Sequence, residues 1–245
     1  MLSPLAEAHI EAERRLRLLT SQTVGDIWKS LPGYDRQNVD QWLSEVLPVV
    51  LGAERQSAAL TEGYIARALD RLPEGVDVDA LIGAALRNGV PPAEVYERPF
   101  VNVWTALKDG RSFADAVESG LARATSTAAM DVQLAMRSTA SAVQAADPSI
   151  FGYTRVADAT ACSFCLEVDG TYVKSADAMP LHNRCGCGLE PQTEPHRGAV
   201  LLPDGTQIRE HAYGPLNDNI AIHLHGELGP VLTGAHDHFT SESEI

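Results

Sequence analysis

Basic residues are scarce in this chain. Its 19 Lys and Arg face 33 Asp and Glu over 245 residues, a formal net charge of −14 with His taken as neutral. A chain this acidic repels phosphate backbones as a whole, so general nucleic-acid binding requires a local basic patch. The sequence offers none. Its densest basic cluster, Arg14, Arg15 and Arg17, is interleaved with Glu11, Glu13 and apolar residues, as on an ordinary amphipathic helix. Long apolar runs are missing too. The most apolar stretch, Val46 to Leu51, is far too short to span a bilayer and contains Pro48. Met1-Leu2-Ser3-Pro4 runs straight into charged helical sequence without a secretory pattern, so the chain is expected to be soluble and made in a reducing cytosol. Neither Gly-x-Ser-x-Gly nor His-Glu-x-x-His occurs. No catalytic residue is therefore assigned, and the chain is expected not to be an enzyme.

What is present divides near residue 150. The first part, 1–150, reads as a multi-helix body. Ser3-Pro4 offers a cap and a first-turn proline, and Leu5, Ala8, Ala12, Leu16 and Leu19 follow at helical spacing. Ile27, Trp28 and Leu31 extend that pattern before Pro32-Gly33. A second helix is expected from about Asn38, with Val39, Trp42, Leu43, Val46 and Val50 apolar and Pro48 kinking or splitting it. Asp79 to Arg87 predicts a short helix closed by Asn88-Gly89, and Pro91-Pro92 opens another brief one. From Ser112 to Ala146 there is no proline and a single glycine, Gly120. Val117, Leu121, Ala124, Ala128, Val132, Ala135 and Val143 share one face of this long helix. So small a stripe suits close packing within the body, or alternatively self-association through the Ala-rich helix.

After residue 150 the texture turns to glycine, proline and short β-type runs. Leu166 to Val168 and Thr171 to Val173, joined by Asp169-Gly170, predict a hairpin. Val200 to Leu202 with Thr206 to Ile208 predict a second, and Ala221 to His225 with Pro230 to Thr233 a third. The fold expected is mainly α with a small zinc-stabilised, hairpin-rich C-terminal module, α+β overall. Its parts are a helical body over 1–150, a zinc-knuckle module over 151–195, and a β-rich extension with an acidic tail over 196–245.

All four cysteines lie between residues 162 and 187, and such clustering favours a metal over disulfides in a reducing compartment. Cys162-Ser163-Phe164-Cys165 is followed, 16 residues later, by His182-Asn183-Arg184-Cys185-Gly186-Cys187. A CxxC bend brings two thiolates together, and a second knuckle closes a tetrahedral zinc site. Five candidates compete for four places: Cys162, Cys165, His182 and Cys187 are the first choice, with Cys185 in reserve. An all-cysteine shell without His182 stays open. Either closed shell describes one structural Zn2+ per chain, with no place left for a reactive water. The alternatives are buried or free cysteines without metal, or redox chemistry at the CxxC, which requires a βαβ frame that this segment does not suggest.

The run Arg155 to Cys187, with Asp158, the CxxC, Gly170, Pro180, His182 and the closing Cys-x-Cys, resembles the signature of MuF-like phage head morphogenesis proteins. Gly186 stands where that signature has Arg, and Leu181 separates Pro180 from His182. Arg98-Pro99-Phe100, the Ala-rich long helix and His225 to Thr233 are more loosely similar to actinobacteriophage members. The resemblance implies a low-copy minor capsid protein inside the virion head. Its partners would be the portal protein or the major capsid protein, with a role in assembly, packaging or ejection. Related proteins are sometimes labelled capsid maturation proteases, which this sequence does not support. A zinc knuckle contacting DNA through Arg155, Lys174, Arg184 and Arg197 is disfavoured by Glu167, Asp169, Asp177, Glu190 and Glu194 alongside; those cations equally suit a role in offsetting thiolate charge. His223, His225, His236 and His238 read as surface histidines before a second metal site.

Overall fold

The computed structural model describes residues 3–72, 76–158, 161–176, 186–194, 200–201 and 207–208. It is mainly helical with small antiparallel sheets, as the sequence predicts. Two compact units divide between Ala146 and Asp147.

The first unit is built on four helices: α1 (Pro4–Ser30), α2 (Val39–Leu69), α3 (Pro92–Lys108) and α4 (Phe113–Ala146). Ser3 caps α1 by accepting from the Ala6 N–H at 3.2 Å, and Pro4 costs nothing in a first turn whose N–H groups lack helical partners. The buried face of α1 is Ala6, Ile10, Glu13, Leu16, Thr20, Val24 and Trp28. This corrects the face read from the sequence, of which Leu16 is kept while Ala8 and Leu19 are exposed. Polar residues take the missing core places because each finds a partner: Thr20 donates to the Leu16 carbonyl at 2.8 Å, and His9 stacks on Tyr64 at 4.3 Å.

Pro48 neither ends nor divides α2, which runs on to Leu69. Val46 and Val50 are buried either side of it, so packing outweighs the one lost hydrogen bond. The helix stops instead at Asp70, whose left-handed φ of 52° lets the Arg71 N–H bond back to the Ala66 carbonyl. Residues Val78–Leu81 and Gly83–Arg87 form two 3-10 turns where one short helix was expected, and Asn88 closes them at φ 53°. The helix opened by Pro91-Pro92 is longer than predicted, at 17 residues, and passes through Pro99. Its buried stripe of Val95, Tyr96, Pro99, Phe100, Val103 and Ala106 explains why.

Ser112 caps α4, accepting from the Asp115 N–H at 3.1 Å while donating to the Asp115 carboxylate. The small stripe of α4 is used within the body: Ala124, Ala128, Val132, Ala135 and Val143 are fully buried. Ser21 of α1 and Ser57 of α2 both donate to α4 carbonyls, those of Thr125 and Val132. Trp28 anchors the core, edge-on to Trp42 at 5.2 Å and to Phe100 at 5.1 Å, and its indole N–H donates to the Val117 carbonyl.

In the second unit a three-stranded antiparallel sheet has the order β2-β1-β3, with β1 Gly152–Val156, β2 Tyr172–Val173 and β3 Gly188–Gln192. The expected Leu166–Val173 hairpin is not formed. Ser163–Glu167 is instead a short helix, α5, and β2 pairs with β1, in the register Tyr153↔Val173. The Leu166 N–H bonds the Cys162 carbonyl, so the CxxC is wound helically and Leu166 is drawn out of any strand. Gly170, at φ 74°, turns the chain back into β2. The second predicted hairpin is present as β4 (Val200–Leu201) and β5 (Gln207–Ile208), paired Val200↔Ile208. The third lies outside the described residues.

Candidate metal centre

Three pieces of chain converge on Arg155, at the middle of the sheet. On β1, Tyr153 and Arg155 alternate onto one buried face, at 0% and 1% exposure. The Arg155 backbone is held twice by the segment leading into β2: its N–H donates to the Thr171 carbonyl at 2.9 Å and its carbonyl accepts from the Gly170 N–H at 2.9 Å. Across the strand pair, Arg155 registers with Leu189 of β3. Close by, Asp169 ties the following turn by accepting from the Ala157 N–H at 2.7 Å.

The guanidinium reaches two sulfurs. Arg155 Nη2 donates to Cys165 Sγ at 3.2 Å and to Cys187 Sγ at 3.4 Å. Cys165 sits on α5, while Cys187 immediately precedes β3; both are fully buried. Two cysteines 22 positions apart in the sequence therefore meet on one buried nitrogen. An arginine buried to this degree is stable only when paired with anionic or strongly accepting groups. Two thiolates of a tetrahedral zinc centre stand about 3.8 Å apart, given metal–sulfur bonds of about 2.3 Å. One guanidinium nitrogen bridging a pair of that kind is the outer-shell bond such ligands commonly carry. Two buried sulfurs sharing one donor are groups a zinc site can use, and Cys165 and Cys187 would be its buried ligands.

Cys162 is exposed, one residue ahead of α5. Among the described residues no three His, Cys, Asp or Glu gather closely enough to hold a metal. His182 and Cys185 lie outside the described residues, as do His223, His225, His236 and His238. Sequence reasoning counted Arg155 among cations able to offset thiolate charge, but spacing alone did not show it bridging the two sulfurs. Asp158, part of the motif, is buried, and its carbonyl accepts from the Ala161 N–H at the head of the CxxC segment.

Buried titratable groups also occur in the helical body. Burial pushes Glu13 up to about 8, against the opposing pull of the Ser57 hydroxyl 2.8 Å away. Burial likewise raises Glu54 to about 7, although that carboxylate accepts from the Gly83 N–H at 2.7 Å and so fixes the turn at φ 64°. His9 is lowered to about 4 by burial. Asp131 is raised by burial against the pull of Arg87 and Tyr96, both of which donate to it. Each of these groups joins helices or turns of the body, a structural arrangement.

The chain is thus a helical protein carrying a small sheet with a cysteine-rich, arginine-centred site. The sequence model of the VG15 protein family matches residues 3–207, so the chain belongs to that family, and it is a phage protein. No curated protein and no solved structure matches it. Among the described residues no helix is long and apolar enough to cross a membrane.

Proposed function

We propose that this chain is a minor structural protein of a tailed-phage head, a MuF-like, portal-associated adaptor acting in head assembly and DNA packaging or ejection. It works as a scaffold and not as an enzyme, and it resides in the virion near the portal. One observation carries the reading: Cys165 and Cys187, one cysteine from each knuckle of the MuF-like signature, meet on the buried Arg155. Membership of a phage protein family supports it.

In this reading Zn2+ is held by Cys165 and Cys187 with two of Cys162, His182 and Cys185. The metal supplies cross-linking and no bond chemistry, since a closed shell leaves no open position. Zinc binding of this kind contributes about 10 kcal/mol or more to folding, enough to hold a module whose three strands contain only 5, 2 and 5 residues. The helical body supplies the surface for the portal or capsid partner. Co-expression with the portal protein of the same phage tests this. A complex isolated by size, with about one zinc per chain, is the expected result; a zinc-loaded chain that never associates would instead favour a capsid-lattice or DNA-facing role.

A further inference from the structure

We infer that the outer seam between α3 and α4, where Arg87, Arg98 and Arg123 converge, is a docking surface for a carboxylate-bearing face of a partner protein. The inference rests on the adaptor reading and names the surface that the helical body would use. Three elements assemble the seam. Arg98 precedes Pro99, whose carbonyl oxygen would stand 3.0 Å from a Cβ at Gly120, so α3 and α4 pack closely there. Arg123 follows one turn beyond Gly120 on α4. Arg87, at the end of the turn before α3, is seated on α4 by its Nε donating to Asp131 at 2.8 Å.

Only one of these charges is neutralised. Among the described residues Arg98 and Arg123 have no ion-pair partner, although Glu94 lies one turn from Arg98 on α3; both arginines are exposed. Desolvation, and then the charges of Arg98 and Arg87, hold the Arg123 guanidinium below the ordinary arginine value. Like charges held together cost stability, and carboxylates brought by a partner would recover it. A guanidinium keeps its charge and presents a planar fork that matches a carboxylate bidentately. Half-buried Ser119 and Thr127, one turn either side of Arg123, add hydroxyls that are not engaged among the described residues. Duplex DNA suits the seam less well. Its binding draws on several phosphate contacts, and two uncompensated arginines on a chain of net charge −14 supply too few.

The test titrates the full chain against the portal protein and, separately, the major capsid protein of the same phage, at low and high salt. The wild type is expected to bind one of them, and more weakly at high salt. Arg98→Glu/Arg123→Glu should lose more than about 10-fold in affinity, because like charges then meet across the interface. Arg98→Ala/Arg123→Ala, the milder change, should lose affinity in the same direction. Arg67→Glu, which reverses an exposed arginine of α2, should bind as the wild type does. Seam variants that bind like the wild type, or lose no more than Arg67→Glu, overturn the docking surface and leave the adaptor reading standing. A wild type that binds neither protein overturns the adaptor reading, and this inference with it. Salt-sensitive binding to duplex DNA that the seam variants abolish would make phosphate the occupant and overturn the inference as well.

Discussion

Gly120 lies where α4 meets α1 and α3, and replacing it with alanine should reverse the usual sign of a helical Gly→Ala change. A Cβ at Gly120 would stand 2.5 Å from Trp28 Cζ2, 2.8 Å from Val103 Cγ2 and 3.0 Å from the Pro99 carbonyl oxygen. Non-bonded carbons prefer about 3.5–4.0 Å, so the ring would have to retreat by about an ångström. Trp28 has nowhere to go. It is fully buried, bonded through its indole N–H to Val117, and held edge-on to Trp42 and Phe100. Overpacking of this kind costs about 1–3 kcal/mol, against a helix-propensity gain of about 1 kcal/mol for alanine. The net expectation is a loss of up to about 2 kcal/mol, at roughly 2–4 °C in Tm per kcal/mol for a unit of this size. Gly52 and Gly63, exposed on α2 with nothing within 4 Å of a built Cβ, provide the controls. Gly63→Ala should gain about 0.5–1 kcal/mol. Thermal unfolding of the helical signal in the three variants decides the matter: a Gly120→Ala protein melting at or above the wild type would refute the packing described around Trp28.

Further predictions concern charge and metal. Glu13, raised to about 8, holds a proton in the folded state that the unfolded chain gives up above about 4.5, so its contribution to stability falls as pH rises through that window. Denaturant midpoints at pH 6 and pH 8.5 should differ less in Glu13→Gln than in the wild type, by on the order of 2 kcal/mol; an unchanged pH slope would remove Glu13 from the account. Asp131→Ala leaves the Tyr96 hydroxyl and the Arg87 guanidinium without their shared acceptor, and should destabilise the body by about 3–5 kcal/mol. A loss below about 1 kcal/mol in urea unfolding, the level of an exposed ion pair, would show the cluster to be solvated. Cys165→Ser should lose zinc and unfold the C-terminal module while the helical signal persists; global loss of helix would mean that the body depends on the metal. Replacing His223 and His225 together should leave metal content unchanged, and a halved zinc content would reveal a second site.

Much of the helical body was legible because its signals are local. Ser3-Pro4 and Ser112 mark true helix starts, and the stripe from Ala124 to Val143 is buried as its spacing implies. Other features depended on partners distant in sequence. The inward face of α1 includes His9, Glu13 and Thr20, which no apolar pattern selects, because their partners Tyr64 and Ser57 belong to α2 and Thr20 folds back on its own helix. Pro48 reads as a kink or break, yet the packing of Val46 and Val50 carries the helix through, and the buried Phe100 and Val103 do the same past Pro99. Asp169-Gly170 does make a turn, but the helical winding of the CxxC changes which strand it feeds. Of the five candidates the cysteine pattern offered, Cys165 and Cys187 are brought onto one nitrogen. The bridging contacts of Arg155 emerged only once β1, α5 and β3 were in place.

The most direct test of the proposed role is quantitative mass spectrometry of purified phage heads. The account predicts this chain in intact heads, at far fewer copies than the major capsid protein and enriched with the portal when heads are gently disrupted. Heads that contain the portal but not this chain would contradict it.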